Sequence, residues 1–121
     1  MKAWDIETGT LHKDYRKIHY GAIYALEITS TKLFTGDRYG NLKSWNLSKE
    51  KLDKNFGRVT NYSITCIAIT EDNRYLFVSD INGSIKQIDL KRRLVMKQYL
   101  KLHEAKITSM ATSGNYLLSG D

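Results

Sequence analysis

The chain has 121 residues, 41% hydrophobic and 26% charged, with a formal charge of +6. That composition fits one ordinary folded domain and excludes disordered, collagen-like and membrane-spanning classes. The first residues, Met-Lys-Ala-Trp-Asp-Ile-Glu, have no apolar leader, and the single Cys66 excludes an internal disulfide or a CxxC zinc site. The expected setting is therefore cytoplasmic, with the nucleus as the alternative.

In chain order, Lys2 to Asp5 reads as the end of a strand. Ile23, Leu26 and Ile28 then mark a strand of about six residues, followed by a second at Leu33 to Thr35. A turn over Asp37 to Gly40 leads to a third strand, Leu42 to Trp45, and a weaker outer one, Leu52 to Phe56. The same series returns as Ile64 to Ile69, Tyr75 to Val78, Ile85 to Ile88 and Leu94 to Tyr99. Asn82-Gly83 is a strong hairpin signal within it. A last pair of strands follows, ending at Leu117-Leu118-Ser119-Gly120-Asp121. The fold class is all-β, with four strands per period.

The period is explicit in three sets of residues. Trp4, Trp45 and Ile88 are 41 and 43 apart, as are His19, Thr60 and His103. Asp37, Asp80 and Asp121 are 43 and 41 apart. Trp4 to His19, Trp45 to Thr60 and Ile88 to His103 each span 15 residues. Self-similarity at this spacing is the signature of stacked repeat units. The units divide as 1–18 (partial), 19–59, 60–102 and 103–121 (partial).

His before the first strand, Thr35-Gly36 in the second and Trp45-Asn46 at the end of the third make the chain resemble the WD-repeat β-propeller family. The resemblance covers the whole chain. It implies four-stranded antiparallel blades, two full and two half. It also implies a structural hydrogen-bonded set from His19, Thr35, Asp37 and Trp45, partly repeated by His103 and Ser119. The family's turn acid aligns with Tyr39, so Asp37 stands two residues early. The second unit has Thr60 and Ile88 in place of His and Trp, so its network is broken and an apolar core has to replace it. About three blade equivalents fall short of the four to eight that close a ring. The expectation is a fragment of a larger propeller. The alternative is self-association, in which the terminal halves complete each other's blades.

No cofactor and no metal is expected, and no enzyme: there is no phosphate-binding loop, no paired carboxylates and no catalytic triad pattern. Gly36 and Gly120 read as turn glycines, and Cys66 as a small core or half-buried residue. His19 and His103 read as structural residues rather than ligands. The sequons at Asn46, Asn61 and Asn82 read as chance matches.

The function that the resemblance implies is a non-catalytic scaffold for a protein or peptide partner. Lys17, Arg58 and Lys101 share one repeat position and recur on one face. Arg38 and Tyr39, with Tyr20 and Tyr62 beside them, complete the candidate partner-binding set; Arg and Tyr are favoured at interface centres. The second possibility rests on charge. Lys86 to Lys106 holds seven basic and two acidic residues, five of the six net positive charges. Lys91, Arg92, Arg93 and Lys97 are its candidate contacts for nucleic acid or another anion.

Overall fold

A computed structural model describes residues 1–121. It contains twelve strands in four antiparallel sheets. The first sheet pairs β1 (Lys2–Trp4) with β2 (Leu11–Asp14). The second is a meander of β3 (Ile23–Ile28), β4 (Lys32–Asp37), β5 (Asn41–Asn46) and β6 (Lys51–Arg58). The third repeats it with β7 (Ile64–Ile69), β8 (Tyr75–Asp80), β9 (Ile85–Asp89) and β10 (Leu94–Tyr99). The fourth pairs β11 (Ser109–Ser113) with β12 (Tyr116–Gly120). Two full blades are thus flanked by two half blades. No helix is long and apolar enough to cross a membrane.

The sheets stack face to face. The second sheet contributes Ala25, Phe34 and Leu42 to an apolar cluster. The third answers with Ile64, Ile67, Leu76, Val78 and Ile88, and Phe56, Val59, Ile69 and Leu90 close its margin. Burying side chains of this size contributes about 1.5–3 kcal/mol each, which holds the blades together. Further along, Ile107 is fully buried, and Thr112 Oγ1 donates to Ile69 O at 2.6 Å, fastening the last half blade to β7.

Gly36 and Gly120 do not lie in turns; they sit inside β4 and β12. At Gly36 a side chain would meet Ile64 Cγ2 at 2.6 Å. The glycine there lets β4 approach the neighbouring blade closely. Cys66 is a half-buried free thiol on β7, 3.9 Å from Ile107 O.

Candidate interaction site

In the first full blade one polar chain links two strands and a loop. Trp45 Nε1 on β5 donates to Thr35 Oγ1 on β4 at 3.0 Å. Thr35 Oγ1 is also 2.7 Å from His19 Nε2, and His19 Nδ1 is 2.8 Å from Asp37 Oδ2. With the imidazole neutral, each proton has one acceptor: indole to hydroxyl, hydroxyl to Nε2, Nδ1 to carboxylate. Asp37 Oδ1 accepts the backbone N–H groups of Tyr39 and Asn41, both at 2.9 Å. Asn41 Nδ2 reaches Oδ2 as well, at 3.0 Å. One carboxylate therefore fixes the β4–β5 turn and the histidine together.

Burial lowers the pKa of His19 below its ordinary value of 6.5, and the hydrogen bond and charge of Asp37 only partly oppose it. Burial pushes Asp37 the other way. Hydrogen bonds from Asn41, His19 and Tyr39 nevertheless hold it below 3.8. A histidine with a depressed folded pKa binds more protons when unfolded, so stability falls as pH drops below about 6.5. We expect Tm to fall by about 4 °C or more between pH 7.5 and 5. In His19→Gln that slope should flatten. Thermal melts followed by circular dichroism across this range check both.

The second blade is built differently. Val78 and Ile88 replace the hydroxyl and indole and are fully buried. Thr60 Oγ1 still donates to Asp80 Oδ2, at 2.8 Å, and Asp80 Oδ1 accepts from the Asn82 and Ser84 N–H groups. In the last half blade His103 Nε2 is 2.8 Å from Ser119 Oγ, and Nδ1 is 3.4 Å from Asp121 Oδ2. No indole reaches that hydroxyl.

These sets anchor the loops at one end of the blades. In an antiparallel meander the β4–β5, β6–β7 and β8–β9 connections all emerge at that end. Arg38 stacks over the Tyr39 ring at 5.3 Å. Arg58 Nε donates to Tyr39 O at 3.0 Å, and its Nη2 reaches Asn61 O at 3.4 Å. Ser63 Oγ donates to Arg38 O at 2.6 Å. Arg38, Tyr39, Arg58 and Tyr62 are thereby gathered on adjoining loops. Lys17 and Tyr20 share a depression with His19 and Lys43, and Lys101 shares the next one with Asn61 and Tyr62. Tyr20, Tyr39 and Tyr62 are all exposed.

Lys91, Arg92 and Arg93 lie in the β9–β10 turn, at the opposite end of the blade, and Lys97 lies on the exposed outer strand β10. The basic segment is therefore no single patch. Lys86 Nζ is held inside by Val59 O at 2.7 Å, and Arg92 Nε lies 3.8 Å from Asp89 Oδ2. Lys91 and Arg93 instead join Lys32, Lys54 and Arg74 around a cleft of about 380 Å³ between the blades. No group of three or more His, Cys, Asp or Glu side chains is placed to hold a metal ion.

Sequence reasoning missed the role of one lysine position. Lys43 Nζ donates to Ile18 O as Lys86 Nζ does to Val59 O, each tying the third strand to the loop before the first. The signal was present, because lysine recurs two residues before Trp4, Trp45 and Ile88.

Face-to-face four-stranded meanders recurring every 41 to 43 residues give the chain the fold of a partial β-propeller, similar to solved WD40-repeat structures. No family model matches it. It is 28% identical over 109 residues to the WD repeat-containing protein 55 homolog of Aedes aegypti, covering 88% of this chain and 22% of that protein. The chain thus spans about a fifth of the curated relative that it matches. Among solved structures, it superposes on the computationally designed Ika8 protein with a TM-score of 0.77 at 23% identity, covering 98% of this chain and 36% of that one. On the RRP9 WD40 repeats the TM-score is 0.76 at 17% identity, covering 84% and 33%. These structural likenesses concern the fold.

Proposed function

We propose that the chain is a non-catalytic WD-repeat scaffold in the cytoplasm or nucleus that docks a protein or peptide partner. The docking surface is the blade end formed by the β4–β5 and β6–β7 loops. The observation that carries this reading is the state of Tyr39 and Arg58. Arg58 is pinned between two carbonyls, and Tyr39 is exposed beside it with Arg38 over its ring. Aromatic and arginine side chains held rigid before binding lose little conformational entropy when a partner covers them. Rigid strands presenting such loops suit a binding role. The residues assigned to this surface are Lys17, Tyr20, Arg38, Tyr39, Arg58, Tyr62 and Lys101.

A second reading is favoured by the basic cleft at the other end. Lys91 and Arg93, with Arg74 and Lys54, would there hold nucleic acid or another anion, with Arg92 in the same turn and Lys97 on the outer strand as flanking contacts. Quantitative cross-linking pull-downs with the chain and two variants separate the readings. Tyr39→Ala with Arg58→Ala should abolish capture of the partner that the unaltered chain retains, at unchanged Tm. Lys91→Ala with Arg93→Ala should leave it intact. Capture that survives the first pair, fails in the second and collapses between about 50 and 200 mM salt would replace docking by anion binding.

A further inference from the structure

The cleft between the two full blades is lined by residues that the repeat does not impose. Both of its walls are complete four-stranded sheets. The wall from the first full blade carries Lys32 and Lys54. The facing wall carries Arg74 of the β7–β8 turn, with Lys91 and Arg93 of the β9–β10 turn. At the next interface along the chain, Tyr75 stands at the position of Lys32 and Asn115 at that of Arg74. Those two cations are thus particular to this pair of blades.

Five cations face two carboxylates, and both carboxylates are engaged locally. Asp53 accepts from Lys32 Nζ at 3.0 Å and from Ser44 Oγ at 3.1 Å. Asp72 Oδ1 accepts from Thr70 Oγ1 at 2.6 Å and from Arg74 N at 3.0 Å, closing its own turn. Arg74 Nη2 is 3.8 Å from Asp89 Oδ2, while Lys54, Lys91 and Arg93 have no carboxylate within 4.0 Å. Beneath these charges the floor is apolar. Phe34 is buried there, and Phe56, Ile69 and Leu90 are only partly covered. Thr31 and Asn73 also line the cleft, both exposed, and neither side chain bonds another protein group.

A purely hydrophilic polyanion uses the cations and leaves the floor bare. A nucleotide uses both, because its base covers an aromatic ring while its phosphates meet lysine and arginine. At about 380 Å³ the cleft is small for a ligand pocket, so it admits one nucleotide and no duplex. We propose that it takes one unpaired nucleotide of a single-stranded nucleic acid. The base lies against Phe56, and the flanking phosphates meet Lys54, Arg74, Lys91 and Arg93. The Thr31 hydroxyl and the Asn73 amide bond the polar edge of the base. Arg92 and Lys97 on one blade, and Lys49 and Lys51 on the other, carry further charge for the strand beyond the cleft. Glu50, between the last two, is paired with Lys13 at 2.9 Å. This rests on the anion reading of the cleft and names its ligand; the loops at the opposite end stay free for a partner.

Fluorescence anisotropy at about 50 mM salt tests it. The probes are labelled single strands of about twelve nucleotides, one RNA and one DNA, a duplex of the same length, and polyglutamate. A single strand should bind about tenfold or more tightly than the duplex. Any difference between the RNA and DNA strands identifies the sugar that the cleft accepts. Phe56→Leu keeps the floor apolar and removes the ring. It should weaken single-strand binding by about tenfold and leave duplex binding and Tm unchanged. Lys91→Gln with Arg93→Gln should weaken binding of both and flatten its salt dependence. A duplex bound as tightly as the single strand, or a Phe56→Leu variant that binds single strands unchanged, overturns base insertion and leaves the anion reading standing. Polyglutamate bound as tightly as the single strand overturns it in favour of an acidic polypeptide. If none of the probes binds, both this proposal and the anion reading fall.

Discussion

Asp37→Ala is expected to destabilise the chain by about 3–4 kcal/mol. The carboxylate accepts from Tyr39 N, Asn41 N, Asn41 Nδ2 and His19 Nδ1, and it is fully buried. Removing it leaves several donors unpaired at once, and each costs about 1–3 kcal/mol where water cannot reach. The loss extends past the turn, because His19 then has nothing to orient it toward Thr35. Asp53→Ala makes a useful contrast. Asp53 bonds Lys32 Nζ at 3.0 Å and Ser44 Oγ at 3.1 Å nearer the surface, where such pairs contribute about 1 kcal/mol or less. Urea unfolding of both variants measures the difference; equal losses would show that Asp37 organises nothing beyond its own contacts.

Gly40→Ala should be comparably damaging, by about 3 kcal/mol or more, for a different reason. Its φ is +86°, and a methyl group there would stand 2.0 Å from Thr60 O and 2.9 Å from Tyr62 O. The turn after β4 therefore rests directly on the backbone leading into the next blade. Gly83 repeats the arrangement, with φ of +79° and His103 O at 2.2 Å. Gly114, with φ of +54° and nothing within 4 Å, isolates the conformational part. Gly114→Ala should cost only about 1 kcal/mol. If the three alanine variants lose equal stability in thermal or urea unfolding, close approach between blades contributes nothing.

Much of this architecture is readable from the chain itself. The intervals Trp45 to Thr60 and Thr35 to Asp37 survive because a meander of fixed strand length carries each polar group to the same place in every unit. The Asp37 position, two residues ahead of the WD-repeat pattern, is explained by the turn that the carboxylate closes. Asn41 follows closely enough for one carboxylate to bind both turn and histidine.

Other features escape linear reading for definite reasons. Leu26 and Ile28 look like Ile67 and Ile69, yet one pair is exposed and the other faces a neighbouring sheet. Period-two patterning reports which residues share a face, not what covers it. The run from Lys86 to Lys106 looks continuous but divides, because successive turns of a meander leave from opposite ends. A lysine on a strand usually extends into water. That Lys43 and Lys86 turn inward depends on where the loops at Ile18 and Val59 pass.

The two full blades meet the same architectural need with different chemistry, a titrating polar chain in one and Val78 with Ile88 in the other. In a stacked array, stability is approximately a sum of unit terms and neighbour couplings. Mild acid is therefore expected to weaken the unit that carries His19 more than the next. All-or-none unfolding, usual for a domain of this length, gives way in mild acid to stepwise opening. The amide hydrogens of β3 to β6 then exchange ahead of those of β7 to β9, and the apolar blade persists as the last cooperative unit of the arc.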